Sequence, residues 1–206
     1  MKKIFVLATL VLVSILGVAQ EESRHKFFVS FDMGASSFFN RSGISLIDHE
    51  QNRFSATRYR IVLGLDNTRQ SLGIEYLFSE IGIRYNNNLN ESVGIHGIGL
   101  QEGWRNSFKE CFFMDYSISL GLLLGKEVIT YNKKDFDGIN RTGFYTKFGL
   151  GCGMEVNNIA FGARGDIMVG YLNKKTLPNE IQIYKNTHNR VIDDATISLF
   201  FQVRMK

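Results

Sequence analysis

Residues 148–172, FGLGCGMEVNNIAFGARGDIMVGYL, keep a two-residue beat that few folds can use. Phe148, Leu150, Cys152, Met154 and Val156 are apolar, with Gly149, Gly151, Gly153 and Glu155 between them. After Asn157-Asn158 the beat returns, with Ile159, Phe161, Ala163, Ile167, Val169 and Tyr171 set against Gly162, Arg164, Asp166 and Gly170. Successive side chains of a strand point to opposite faces, so this beat predicts two strands. Helix is excluded, because each glycine would cost it about 1 kcal/mol. Asparagine tolerates the positive φ of a tight turn, so Asn157-Asn158 closes a hairpin. Pairing Val156 with Ile159 then sets both apolar rows on one face.

The beat recurs from about residue 26 to the end of the chain. Phe27, Val29, Phe31, Met33 and Ala35 mark a first strand, and Tyr59, Ile61, Leu63 and Leu65 a second. Leu72, Ile74, Tyr76 and Phe78 begin a third, which runs on to about Tyr85 with a parity slip, read as a bulge, near Glu80. A fourth, about 92–104, alternates poorly and its facing stays open. Phe112 through Leu124 make the fifth, the hairpin supplies the sixth and seventh, and Ile197, Leu199, Phe201, Val203 and Met205 mark the eighth. Asp66–Gln70, Arg105–Glu110 and Asn157-Asn158 are short connections, whereas 39–52, 127–141 and 173–190 are long and polar. Residues 86–91 are a shorter cap on an extended strand. Eight antiparallel strands, with turns and both termini at one end and loops at the other, are the layout of an up-and-down transmembrane β-barrel.

The first residues fit that destination. Lys2-Lys3, an apolar run from Ile4 to Leu16 and the small-residue site Gly17-Val18-Ala19 read as a cleaved signal peptide over 1–19, leaving 20–206 as one barrel domain. No later run is long enough for a transmembrane helix. Removing Lys2 and Lys3 from 24 basic residues leaves 22 against 20 acidic ones, too even a balance for a nucleic-acid partner. Cys111 and Cys152 fall on opposite faces of the alternation and are expected to stay unpaired.

A soluble barrel would show the same period with its oil turned inward. Here the weak face is glycine, serine and charge, which suits the narrow lumen of about eight strands better than a full set of large apolar residues would. Aromatics also gather at strand ends. Phe27, Trp104, Phe112, Phe161 and Phe201 lie toward the turns, and Phe38, Tyr85, Phe144 and Tyr171 toward the loops, as in the two girdles of a membrane barrel. The inward set carries Arg58, Arg60, Lys147, Arg164 and Arg204 against Asp32, Glu75, Asp115, Glu155 and Asp166. A lone buried charge costs several kcal/mol, so these ten are expected to pair as a structural network that fills the lumen. An ion path is the alternative. A tight turn at Asn67-Thr68 would put Arg60 directly opposite Glu75, and the hairpin puts Lys147 diagonal to Asp166.

With signal peptide, alternation, loop asymmetry and the final ISLFFQVRMK in hand, residues 25–206 resemble the porin-like outer-membrane β-barrels common in Bacteroidetes and, more loosely, the small OmpA/OmpX-type barrels. Those barrels often end in an aromatic residue, whereas this chain ends Met205-Lys206. The resemblance implies a barrel in the Gram-negative outer membrane after Sec-dependent export, monomeric, in contact with outer-membrane lipid and lipopolysaccharide. It implies no shared catalytic residues and no cofactor. The expected role is non-enzymatic, structural or surface-interacting, with an extracellular ligand or protein at the long loops. A narrow pore for small solutes is the alternative.

Some small barrels are lipid A-modifying enzymes, which need a serine beside a histidine and a carboxylate. His25 lies by the mature N-terminus, and His49 and His188 lie in loops. His96 alone lies in a strand, and Ile98 stands where a His-x-Ser pair would need serine. Asp48-His49-Glu50 is too contiguous to converge on a metal, and Gly149–Gly153 has no following helix to receive a phosphate. The glycines are expected instead to leave lumen space over which long side chains fold.

Overall fold

The computed structural model describes residues 26–38, 54–67, 69–86, 89–108, 111–173 and 191–205. The segment read as a signal peptide, the connections 39–52 and 174–190, and His25, His49 and His188 lie outside them. The strands are β1 (Lys26–Phe38), β2 (Phe54–Asp66), β3 (Gln70–Asn86), β4 (Leu89–Phe108), β5 (Phe112–Tyr131), β6 (Lys134–Val156), β7 (Ile159–Leu172) and β8 (Val191–Met205). Each pairs with the next, and β1 pairs with β8 to close the barrel. Following register partners once around, Phe27 leads through Leu65, Leu72, Glu102, Ile118, Phe148, Ile167 and Ala195 to Ser37. The circuit returns to β1 displaced by 37 − 27 = 10 residues, a stagger that tilts eight strands by roughly 40–45°.

The alternation decides the faces as expected. Ile197, Leu199 and Leu122 stand outward at 76%, 72% and 67% exposure, while Asp32, Arg60, Glu75 and Lys147 are buried inside. On β5 the outward apolar run from Phe112 to Leu124 rises about 30 Å at this tilt, at roughly 3.3 Å per residue. Toward the turns, register rows join Phe108 to Phe112 and Phe161 to Phe201, and Trp104 stacks on Tyr116 with centroids 5.9 Å apart. Toward the loops Phe144 stacks on Tyr171 at 5.5 Å. The side chains of Phe38 and Tyr85 lie outside the described set.

Val156 pairs with Ile159 as the alternation requires, and Asn157 takes a φ of 58° in the turn. Other expectations fail in instructive ways. Residues 127–141 are not a loop: β5 and β6 continue through them and turn at Asn132-Lys133, both at positive φ (50° and 63°). Lysine, asparagine and aspartate crowd this hairpin, so its composition imitates a loop although Ile129 is buried inside it, and a register shift between Glu127 and Ile129 breaks the beat. Residues 86–91 are likewise strand on both sides of 87–88. No parity slip occurs at Glu80, which faces out while Ile81 faces in, and the β3–β4 irregularity falls at Arg84/Asn86. Arg105–Glu110 is not a turn throughout, since β4 runs on to Phe108 and points Arg105 into the lumen. β4 faces odd positions inward, with Val93 and Ile95 buried and Ile98 and Leu100 exposed. Its apolar residues thus divide between both faces, which is why its pattern was illegible.

Candidate functional site

The lumen is filled in layers. At the turn end Arg204 bridges Asp66 and Glu155, and Arg105 reaches Glu155 Oε2 and Gln202 Oε1, both at 3.0 Å. The Arg105 guanidinium lies 3.8 Å above the Phe113 ring, inside a small cluster with Phe200 and Ala160. Beneath the centre, Arg164 joins Asp32 Oδ2 at 2.8 Å to Asp115 Oδ2 at 3.0 Å.

Glu75 is the hub. Its Oε2 accepts from Arg60 Nε at 2.7 Å and Lys147 Nζ at 2.6 Å, and its Oε1 accepts from the Tyr145 hydroxyl at 2.8 Å. Arg60 also donates to Asp32 and Gln101. Arg60 is not directly opposite Glu75, because Asp66 pairs with Ser71 and the turn is two residues longer than a tight one. The Asn67 side-chain oxygen accepts from the Arg69 and Gln70 amides and holds this wider turn. A shift of two preserves facing, so Arg60, opposite Leu77, reaches Glu75 diagonally. Lys147 is diagonal to Asp166, with Nζ 4.0 Å from Oδ1.

All ten sequence-derived lumen charges therefore point inward, and each meets an opposite charge: Arg58 pairs with Asp194 and also donates to Ser79 and Thr196. The structure adds Asp66, Arg105 and Asp194 to the same network, and Arg141 stands 3.8 Å from Glu127 higher up. Asp66 already sat on the inward parity. Arg105 and Glu127 were hidden by being read as connections, and Asp194 by a late start to β8. Among the described residues Asp115 Oδ1, Ser117 Oγ and Arg164 Nε have no hydrogen-bond partner, and these residues help line a turn-side cavity of about 30 Å³, room for a water.

Above Glu75 lies a layer the sequence did not reveal. Leu77, Ile81, Val93, Ile95, Leu123, Tyr145, Met168, Leu172 and Ile192 pack together inside the barrel. The lumen, read as a face of glycine, serine and charge, thus also holds one layer of large apolar side chains, and the glycines explain how. A Cβ on Gly121 would fall 2.5 Å from the Tyr145 ring, one on Gly99 2.6 Å from its hydroxyl, and one on Gly97 2.6 Å from Leu77. Bare backbone on β4 and β5 is the floor on which these side chains lie. Gly121→Val is expected to lower unfolding free energy by about 1–3 kcal/mol through overpacking, read by urea titration in detergent.

His96 belongs to the outer wall. Its Nδ1 is 2.8 Å from the Tyr76 hydroxyl, its ring lies 4.8 Å from Phe78, and Ile98 is the next outward residue. Among the described residues no group of three His, Cys, Asp or Glu side chains is placed to hold a metal. Cys111 and Cys152 are free, the latter exposed on the outer face.

No protein-family pattern and no curated protein sequence matches the chain. Among solved structures it is similar to Neisserial surface protein A, NspA, at a TM-score of 0.55 and 14% identity over 87% of this chain and 97% of that one. A further match is Ail, the attachment invasion locus protein of Yersinia pestis, in complex with the heparin analogue sucrose octasulfate, at a TM-score of 0.47 and 11% identity over 87% and 99%. The first likeness shows the fold: a small closed barrel of the kind found in outer membranes.

Proposed function

We infer that the chain is a non-enzymatic outer-membrane barrel whose lumen is a solid strut and whose work is done on its outer surfaces. The observation that carries this is the closed cross-section at the level of Glu75 and Tyr145. Glu75, Leu77, Ile95, Leu123 and Asp194 are 0% exposed, so among the described residues this level of the lumen is packed with side chains out of reach of solvent. Ion conduction needs a continuous wet route, and an apolar constriction is itself a barrier to wetting. The pore alternative is therefore the weaker one.

The oily exterior between two aromatic girdles supports placement in a bilayer, and the Lys2–Ala19 segment supports export by the Sec route. Lipid, lipopolysaccharide on the outer leaflet, and a ligand or protein at the loop end are the proposed contacts. The β5–β6 hairpin offers a preformed surface there, with Lys134 placed 4.9 Å over the Phe136 ring. In planar bilayers the folded chain is expected to give no unitary current steps above the lipid baseline. Regular steps of uniform conductance would replace the strut with the pore.

A further inference from the structure

One carboxyl group stands on the outside of the barrel wall, in the middle of its oil. Glu102 is on the outward parity of β4, between Leu100 and Trp104, and pairs with Leu72 on β3 and Ile118 on β5. Ile118 is the midpoint of the outward apolar run from Phe112 to Leu124. At this tilt a step to the next strand moves about 3 Å along the barrel axis, so Glu102 lies well inside an apolar band about 25 Å tall. Among the described residues no other Asp, Glu, Lys or Arg faces outward between the turn-side girdle and Glu80, Lys126 and Asp193 at the loop-side edge. Nor does any described residue give Glu102 a hydrogen bond or an ion pair. Inside the barrel the ten lumen charges all meet an opposite charge; this one, outside, meets none from its own wall.

A carboxyl in hydrocarbon is costly without a hydrogen-bonding partner, and an ionisable residue at membrane depth marks a contact. We propose that the β3–β5 wall around Glu102 is the face through which two copies of the chain pair in the bilayer, with the two Glu102 carboxyls meeting on the twofold axis. Copies inserted in the same direction are related by an axis along the bilayer normal, which brings the same residue together at the same depth. A group on such an axis must complement itself. A protonated carboxyl does so, since each donates its O–H to the carbonyl oxygen of the other and the pair leaves no charge and no unused donor in lipid. A second copy offers no cation here, because among the described residues no Lys or Arg faces outward at this depth. Leu72, Leu100 and Ile118 surround the carboxyl with apolar surface, and Trp104, stacked on Tyr116, closes its turn-side flank. The pair replaces the monomer that the family resemblance implies, and it rests on the bilayer placement inferred above.

The test is energy transfer between donor-labelled and acceptor-labelled copies of the full folded chain in phospholipid vesicles, followed as protein is diluted into lipid. Wild type is expected to transfer above the level of random proximity, and excess unlabelled wild type to compete the signal away. Glu102→Leu is expected to weaken pairing by about tenfold, the scale of a hydrogen bond between polar side chains in a membrane. Glu102→Gln, whose amide also complements itself, is expected to stay within about twofold of wild type. Glu102→Lys is expected not to pair with itself but to pair with wild type, an ammonium then meeting a carboxylate. Transfer by wild type no greater than random proximity overturns the pair. Equal pairing by Glu102→Leu, or no pairing between Glu102→Lys and wild type, overturns the placement of Glu102 on the axis. Flotation of each variant with the vesicles, and its heat-dependent gel shift, report bilayer placement and folding separately, so a failed pair is distinguishable from a failed barrel.

Discussion

Glu75→Ala lowers the unfolding free energy by about 3–5 kcal/mol, the usual cost of leaving buried opposite charges without a partner. Glu75 touches no water, and two cations and a phenol converge on its two oxygens. Their dependence on it is unequal. Arg60 retains Asp32 and Gln101, whereas Lys147 retains only Asp166 at 4.0 Å. Adding Lys147→Met to Glu75→Ala therefore restores part of the loss, and adding Arg60→Ala restores less, because it also takes from Asp32 one of its two guanidinium partners and leaves it Arg164. Urea titration of wild type, the three single variants and the two double variants in phospholipid vesicles gives the coupling energies. Losses that simply add in both double variants would mean the hub is not a coupled unit.

The second large effect lies on the opposite face. Ile197→Arg costs about 2–4 kcal/mol if the position faces the middle of a bilayer, because a guanidinium there must leave water. On a water-facing wall the same exposed substitution stays within about 0.5 kcal/mol of neutral. Ile197 is 76% exposed and its pairing partners Ala35 and Gly165 are small, so the new side chain displaces nothing in the protein. Solvent alone decides the result. Folding titrations in vesicles measure it directly, and a neutral outcome would place water around the barrel.

The contrast between those two positions also explains what was legible in the sequence. Strand count, pairing order and, except in β4, facing follow from a beat that sets Leu122 against Gly121 and Ile74 against Glu75, and a shift of two residues leaves that beat intact. For the same reason the sequence misplaced the Arg60–Glu75 pairing: facing is protected against a two-residue error in the turn, whereas direct opposition is not. The apolar interior layer was invisible because Ile81, Val93 and Ile95 look like lipid-facing residues of a slipped strand. The glycines at 97, 99, 121 and 170, small enough for Leu77, Tyr145 and Leu123 to lie over them, make such a layer fit. Residues 127–141 failed for the complementary reason, since the register shift between Glu127 and Ile129 and the crowd of lysine, asparagine and aspartate hide the alternation there.

One measurement tests the placement of the whole wall. Trp104 is the only tryptophan in the chain, lies on the outward parity of β4 near the turn end, and stacks on Tyr116. With the barrel folded into vesicles whose acyl chains carry bromine, its fluorescence is predicted to be quenched, and more by bromine near the headgroup than by bromine near the bilayer centre. Undiminished fluorescence from a chain that is folded by circular dichroism would contradict the lipid-facing exterior.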